Sequence, residues 1–376
     1  MKRSINLGAI ALAFAVGPIW AQGITMAGRV DMGLQSIDNG TTTQKRVDSG
    51  TYTASRLIFR GNEDLGGGLG ALFYLEHRFN ADLGAQQSAA KFWNAGSYVG
   101  LSSSSLGTVT LGRQYVPIFW PFLWADDTGN ARLHGYSAVQ SVQSVQRSNF
   151  ARVTAAASPI KTAGGLDSIG GGIYALNISS AFEDNLVVYK SPSFSDISAS
   201  LAVGAPEGYP AGNGKVYGGN VEYRTPANYL GFGFNSKTGR VPAGGSADSK
   251  LTESVFAGMY SVTKEFKAWG NLHRWNFDSA GATLKGRDYM LGASYWFPLS
   301  MVWFNYANKS VDNCSACDSK GFGVGYHYLL SKRTELYAAL GNVKNELNSA
   351  NNLNGFSPAA PGQTIRGLAA GIYHNF

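Results

Sequence analysis

The chain has 376 residues, of which 48 are glycine, 19 tyrosine, 20 phenylalanine and 8 tryptophan, while only 15% are charged. That mixture is too aromatic for a disordered chain and too rich in glycine for a helical one, which leaves β-structure. The formal charge of +7 is modest and spread along the chain rather than gathered in runs, which argues against nucleic acid as a partner.

Residues 1–21 carry Lys2 and Arg3, an apolar stretch from Ile5 to Val16, then Pro18 and the small Ala21. This is the grammar of a secretory signal peptide, and the run is shorter than the roughly 20 residues a spanning helix needs. Cleavage after Ala21 removes two cations and no acid, so the formal charge falls from +7 to +5 and residues 22–376 remain as a single domain. Beyond the leader no apolar run reaches the length of a spanning helix, so any membrane crossing would be made by strands.

The first strand, ITMAGRVDMGLQ (24–35), puts Ile24, Met26, Val30, Met32 and Leu34 on one parity and Thr25, Arg29, Asp31 and Gln35 on the other. On the second, Arg56 and Arg60 stand roughly 13 Å apart on the parity of Asn62, opposite Leu57 and Phe59. Glu76 and Arg78 of the third join the same wet face. A packed core does not tolerate Arg, Asp, Glu and Asn in strand after strand, whereas a barrel in lipid with a water-filled lumen requires them. Arg29, Asp31, Arg56, Arg60, Glu76 and Arg78 thus form a mostly basic ladder on the lumen wall. Arginine suits such a ladder, because its charge does not titrate away and its planar fork can hand an anion onward. Pairing with Asp31, Glu63 and Glu76 to stabilise the wall stays open beside that role. Arg113 shares parity with Val109 and Leu111, which directs it to the outer face, with its guanidinium snorkelling at the rim.

Seven short turn clusters recur, near 64–68, 103–107, 191–196, 225–228, 263–265, 298–300 and 331–333. Eight longer polar stretches alternate with them, near 38–52, 81–92, 116–182, 205–214, 238–252, 276–286, 309–319 and 345–363. Together they join sixteen antiparallel strands, with short turns at one rim and long loops at the other, which is how outer-membrane barrels are built. Tyr223, Tyr229, Trp296, Phe297 and Tyr328 near strand ends suit aromatic girdles.

The third long connection, 116–182, begins VPIFWPFLWADD, a segment too apolar to stand in water. Packed against the inner wall, it would set Asp126 and Asp127 opposite the arginines and create a transverse field at the narrowest point. Its charges, Arg132, Arg147, Arg152 and Lys161 against Asp126, Asp127 and Asp167, leave +1, which with the basic ladder predicts a moderate preference for anions. Cys314 and Cys317 form a C-x-x-C with no second pair and no nearby histidine, so a small disulfide pinning the seventh loop is favoured over zinc or redox chemistry.

The blocks SRLIFRGNEDLGGGLGALFYLEHRFN (55–80), SYVGLSSSSLGTVTLGRQYVP (97–117), DNLVVYKSPSF (184–194), YLLSKRTELYAALGNVKN (328–345) and the terminal GIYHNF resemble the trimeric general porins of Gram-negative outer membranes, in the beta-proteobacterial and neisserial branch. The resemblance implies a sixteen-stranded barrel, three per complex, each pore narrowed by an inward-folded third loop. This loop is longer here than is usual in the family, which leaves pore size open. It also implies passive diffusion of small hydrophilic solutes and ions, with outer-membrane lipid and lipopolysaccharide as surroundings. Phe376 would be the label read by the outer-membrane assembly machinery, on the outward parity of Leu368, Ala370 and Ile372. A substrate-specific channel and a structural or adhesin barrel remain alternatives. No cofactor or metal is implied, and with five scattered histidines and no G-x-S-x-G the chain offers no catalytic constellation.

Overall fold

Period-two alternation becomes eighteen antiparallel strands and one short helix in a computed structural model of the chain, which describes residues 23–127, 182–207, 214–238, 250–279, 282–312, 314–351, 353, 356 and 358–376. The expected leader and most of the third connection, with Arg132, Arg147, Arg152, Lys161 and Asp167, lie outside the described residues. In chain order the elements are β1 (Thr25–Asp38), β2 (Thr43–Ser49), β3 (Arg56–Gly66), β4 (Leu69–Asn80), β5 (Ala85–Gln86), β6 (Gly96–Ser103), β7 (Gly107–Tyr115), α1 (Phe119–Trp124), β8 (Phe182–Lys190) and β9 (Ile197–Gly204). The second half adds β10 (Lys215–Arg224), β11 (Tyr229–Thr238), β12 (Lys250–Ser261), β13 (Phe266–Ser279), β14 (Ala282–Trp296), β15 (Ser300–Val311), β16 (Ser319–Leu329), β17 (Thr334–Asn345) and β18 (Thr364–Asn375).

Sixteen of these strands close a ring. β2 pairs with the later half of β1 and β3 with its earlier half, so the two act as one strand interrupted at residues 50–55. β5 is a two-residue pairing at the end of β4. The circuit runs β1, β3, β4, then β6 through β18, and returns to β1 through ten paired residues from Arg29↔Asn375 to Asp38↔Arg366. Gly28 and Phe376 then exchange both backbone hydrogen bonds, at 3.0 and 3.1 Å. Closure gives each strand of the ring a neighbour on both sides and removes the exposed edges that lipid could not hydrogen-bond, while β2 and β5 pair on one side only.

The seven short turns fall where the sequence marks them, and two of the expected long connections are partly strand. The stretch near 38–52 contains β2. Its turn, Asn39–Thr42, is a tight one in which Asn39 Oδ1 accepts from the amides of Thr41 and Thr42 at 3.1 and 2.9 Å. The stretch near 276–286 is largely strand, because β13 runs to Ser279 and β14 resumes at Ala282. Asn276, Asp278, Thr283 and Lys285 make the outer face polar here, so the segment reads as loop in the sequence although the hairpin continues through it.

The polarity of the wall is inverted relative to a soluble protein. Leu201, Phe232 and Leu368 are 58%, 47% and 57% exposed on the outer face, while Arg56, Glu76 and Asn305 are fully buried on the inner one. Of the expected girdle residues, Tyr223, Phe297 and Tyr328 do face outward. Tyr229 and Trp296 point into the barrel, where the Tyr229 hydroxyl donates to Glu222 at 2.6 Å and Trp296 Nε1 donates to Asp127 at 2.7 Å. Each indole or phenol turns inward because its polar tip finds a carboxylate there.

At the closure, a β-carbon on Gly28 would lie 2.5 Å from the Phe376 ring and 2.6 Å from the backbone oxygen of Arg56. Overpacking of this kind costs about 1–3 kcal/mol. Gly28→Val is therefore expected to lower the urea midpoint of the barrel refolded into lipid vesicles, and an unchanged midpoint would show that the seam yields freely.

Candidate functional site in the barrel lumen

Strand register brings the basic ladder together. Arg29 lies opposite Arg56, and Arg56 opposite Arg78, so three guanidiniums from β1, β3 and β4 share one level of the inner wall. Like charges this close need a counter-charge, and Glu76 supplies it. Its Oε1 accepts from Arg56 Nη1 at 3.0 Å and from Arg78 Nε at 2.9 Å, while Oε2 accepts from the Tyr74 hydroxyl at 2.6 Å. Arg78 Nη2 also donates to the Tyr115 hydroxyl at 2.8 Å. Arg60 stands apart, exposed on β3 nearer the short-turn rim and opposite Tyr74.

Residues 50–55 are legible in the sequence only as loop, and they form an inward strap that meets this row. Arg29 Nη1 and Arg56 Nη2 both donate to Thr53 Oγ1, at 3.3 and 3.2 Å, and Arg56 Nε donates to the Ala54 carbonyl at 3.1 Å. Asp31 serves the strap rather than the arginines. Its Oδ2 accepts from the amides of Tyr52 and Thr53 at 3.0 and 2.6 Å, and its Oδ1 from the Tyr337 hydroxyl at 2.8 Å. The Tyr52 ring packs among His327, Tyr337 and Tyr373 on the inner faces of β16, β17 and β18. Among the ladder residues, then, Glu76 carries the wall-stabilising role and Asp31 holds a lumenal segment in place.

The beginning of the third connection folds into the barrel. α1 lays Phe119, Phe122 and Leu123 against Val216, Tyr229, Val255 and Ala257, the inward side chains of β10, β11 and β12. Gly233 permits this, since a β-carbon there would sit 3.0 Å from the Ile118 α-carbon. Asp126 and Asp127 follow the helix, both buried. Asp127 does not stand as a free acid facing the arginines: Lys267 Nζ lies 2.7 Å away, and Ser294 and Trp296 donate to its other oxygen at 2.6 and 2.7 Å. It is held by β13 and β14, because that wall offers a cation and two donors at the helix exit.

Several lumenal groups belong to no sequence motif. Lys237 pairs with Glu183, His273 sits between Asp288 at 2.6 Å and Glu253 at 3.5 Å, and the Arg224 guanidinium lies 3.4 Å above the Trp124 ring. Strand parity alone marks their face, since Lys237 shares it with Asn235 and Tyr229. Arg113 does not snorkel. At an irregularity between Gly112 and Gln114 it donates to Asp184 at 2.7 Å and to the Asn94 carbonyl at 2.8 Å, tying the second long connection to β8. Lys91 of that connection binds the same carboxylate. Cys314 and Cys317 are joined as a disulfide with their α-carbons 5.6 Å apart. Among the described residues no group of three or more His, Cys, Asp or Glu is placed to hold a metal ion.

Comparison with known proteins points in one direction. Residues 8–348 match the family model described as Gram-negative porin. Outer membrane porin protein 32 of Delftia acidovorans is 29% identical over the full length of both chains. An outer membrane porin protein of Bordetella pertussis is 24% identical, covering 92% of this chain and 95% of its own. Among solved structures, the anion-selective porin from Comamonas acidovorans superposes with a TM-score of 0.76 at 25% identity, covering 94% of this chain and 99% of that one. The trimer form of OmpT of Vibrio cholerae shares the fold, with a TM-score of 0.60 at 13% identity over 94% of this chain and 99% of that one.

Glu76 is the point on which the arginine row turns. Glu76→Gln leaves Arg56 and Arg78 side by side in a buried setting, a change expected to destabilise the barrel by about 3 kcal/mol. Urea unfolding in vesicles measures it; a loss well under 1 kcal/mol would mean that lumenal water already screens the row.

Proposed function

This chain belongs to the Gram-negative porin family, and on that premise we propose that its barrel is a water-filled pore for passive diffusion of small hydrophilic solutes, with a moderate preference for anions. The observation that carries the preference is the row of Arg29, Arg56 and Arg78 at one level of the wall, with the Glu76 carboxylate between Arg56 and Arg78. Arg60 adds an exposed cation below it. With the strap and α1 reaching inward from two sides, a permeating ion passes these fixed charges at close quarters, in a channel narrowed enough for them to matter and wet enough for each contact to release. The Comamonas acidovorans neighbour, described as anion-selective, supports the same sign.

Three copies would form one complex; the OmpT neighbour is described in a trimer form. Phe376, 45% exposed on the outward parity, would present its ring to the assembly machinery before the seam with Gly28 closes. Native mass measurement of outer-membrane extracts tests both. A trimer that is depleted when Phe376 is deleted supports the reading, and a monomer indifferent to the deletion opposes it.

Arg60 gives the cleanest test of selectivity, because it is exposed and its replacement disturbs no buried pair. In a potassium chloride gradient the reversal potential should have the sign of anion preference. Arg60→Glu should reduce the anion-to-cation permeability ratio by about three- to fivefold, the effect of reversing one charge near the ion path in water. Cation preference in the unaltered chain would reject the proposal.

A further inference from the structure

α1 is amphipathic in an unusual sense. Phe119, Phe122 and Leu123 bury themselves in the wall, while Trp120 and Trp124, four residues apart and therefore on one face, are only half-buried. Their rings lie nearly parallel, with centroids 6.0 Å apart and an interplanar angle of 16°. They border a cavity of about 410 Å³ between the helix and the inner wall, whose opposite side carries Tyr74 and Tyr98, themselves stacked at 5.3 Å. Lys190 and Arg224 are the charged residues of its lining, and Arg224 lies against the face of Trp124. Trp124 and Arg224 also border an adjoining cavity of about 440 Å³ that reaches Lys267 at the short-turn rim.

We infer that this aromatic cavity is a binding station for small aromatic carboxylates on their way through the pore. The inference rests on the diffusion-pore reading and names a solute class for it. Two stacked indoles facing a wet lumen are covered favourably by a flat apolar ring, and the cavity has the volume and the few convergent polar groups of a small-molecule site. The charge is that of an anion's partner. Lys190 and Arg224 both lie close enough to act on Glu222, which is buried and already engaged by the Tyr229 hydroxyl, so two cations face one occupied carboxylate. A simple inorganic anion would leave the indoles uncovered, and a neutral sugar would gain nothing from the two cations.

The test uses the full chain in planar bilayers, with benzoate as probe and butyrate and benzyl alcohol as controls for charge and ring. Benzoate should reduce the potassium chloride current in a saturable manner, while butyrate and benzyl alcohol at equal concentration should not. Trp124→Ala and Arg224→Gln should each raise the half-blocking concentration about tenfold, and Trp124→Phe should retain most of the block. Heat-modifiable migration in gels shows whether each variant is folded, and Lys190→Gln, on an exposed side chain, supplies a second charge variant. Equal block by butyrate, equal block by a neutral sugar, no benzoate block, or block indifferent to these substitutions overturns the inference. Potassium chloride conductance of the unaltered chain reports separately on the diffusion pore, so a conducting channel without benzoate block defeats the station alone.

Discussion

Hydrocarbon cannot hydrogen-bond a peptide group, and that constraint shapes this molecule. Each strand must find two neighbours, so the sheet closes through the β1–β18 seam, and the outward side chains become Leu201, Phe232, Leu368 and their like. The inward side chains are released from packing against a second layer. The chain fills that freedom with charge, as the fully covered Arg56 and Glu76 and the buried His273 show.

A wall of charge alone would leave a wide hole. Two segments reduce it, and each is seated by a different physical device. The strap at 50–55 is drawn in by polar bonds, chiefly Asp31 to the amides of Tyr52 and Thr53, and by the tyrosines and histidine around Tyr52. α1 is drawn in by apolar contact with Val216, Val255 and Ala257, with Asp127 clamped by Lys267 at its exit. The charged ladder and the aromatic helix thus stand on different arcs of the lumen, one arc basic and the other aromatic with basic edges.

Strand parity and turn residues make the barrel legible in the amino-acid sequence. They place the seven turns, the closing seam and the faces of Arg29, Arg56 and Arg78, because period-two alternation is a local property of each strand. What stays hidden depends on distant partners. Nothing near Asp127 names Lys267, 140 residues away, and nothing near Asp31 names Tyr337. Tyr229 and Trp296 look like girdle residues by their place near strand ends, although strand parity sets both inward. The strap reads as loop because it continues the polar run that begins at Asp38 and, Tyr52 apart, carries only small side chains, and the end of the β13–β14 hairpin reads as loop because its outer face turns polar.

The central claim is that lipid lies outside this wall and water inside. It is tested most directly by single cysteines on neighbouring strands, in a chain whose Cys314 and Cys317 are replaced by serine. Lys190 and Leu201 belong to β8 and β9; Lys190 pairs with the inward Ser200, and Leu201 is 58% exposed on the other face. Lys190→Cys should react with a membrane-impermeant charged methanethiosulfonate and lower the current, whereas bimane on Leu201→Cys should be quenched by brominated lipid. Quenching at 190 and reaction with the impermeant reagent at 201 would contradict the account.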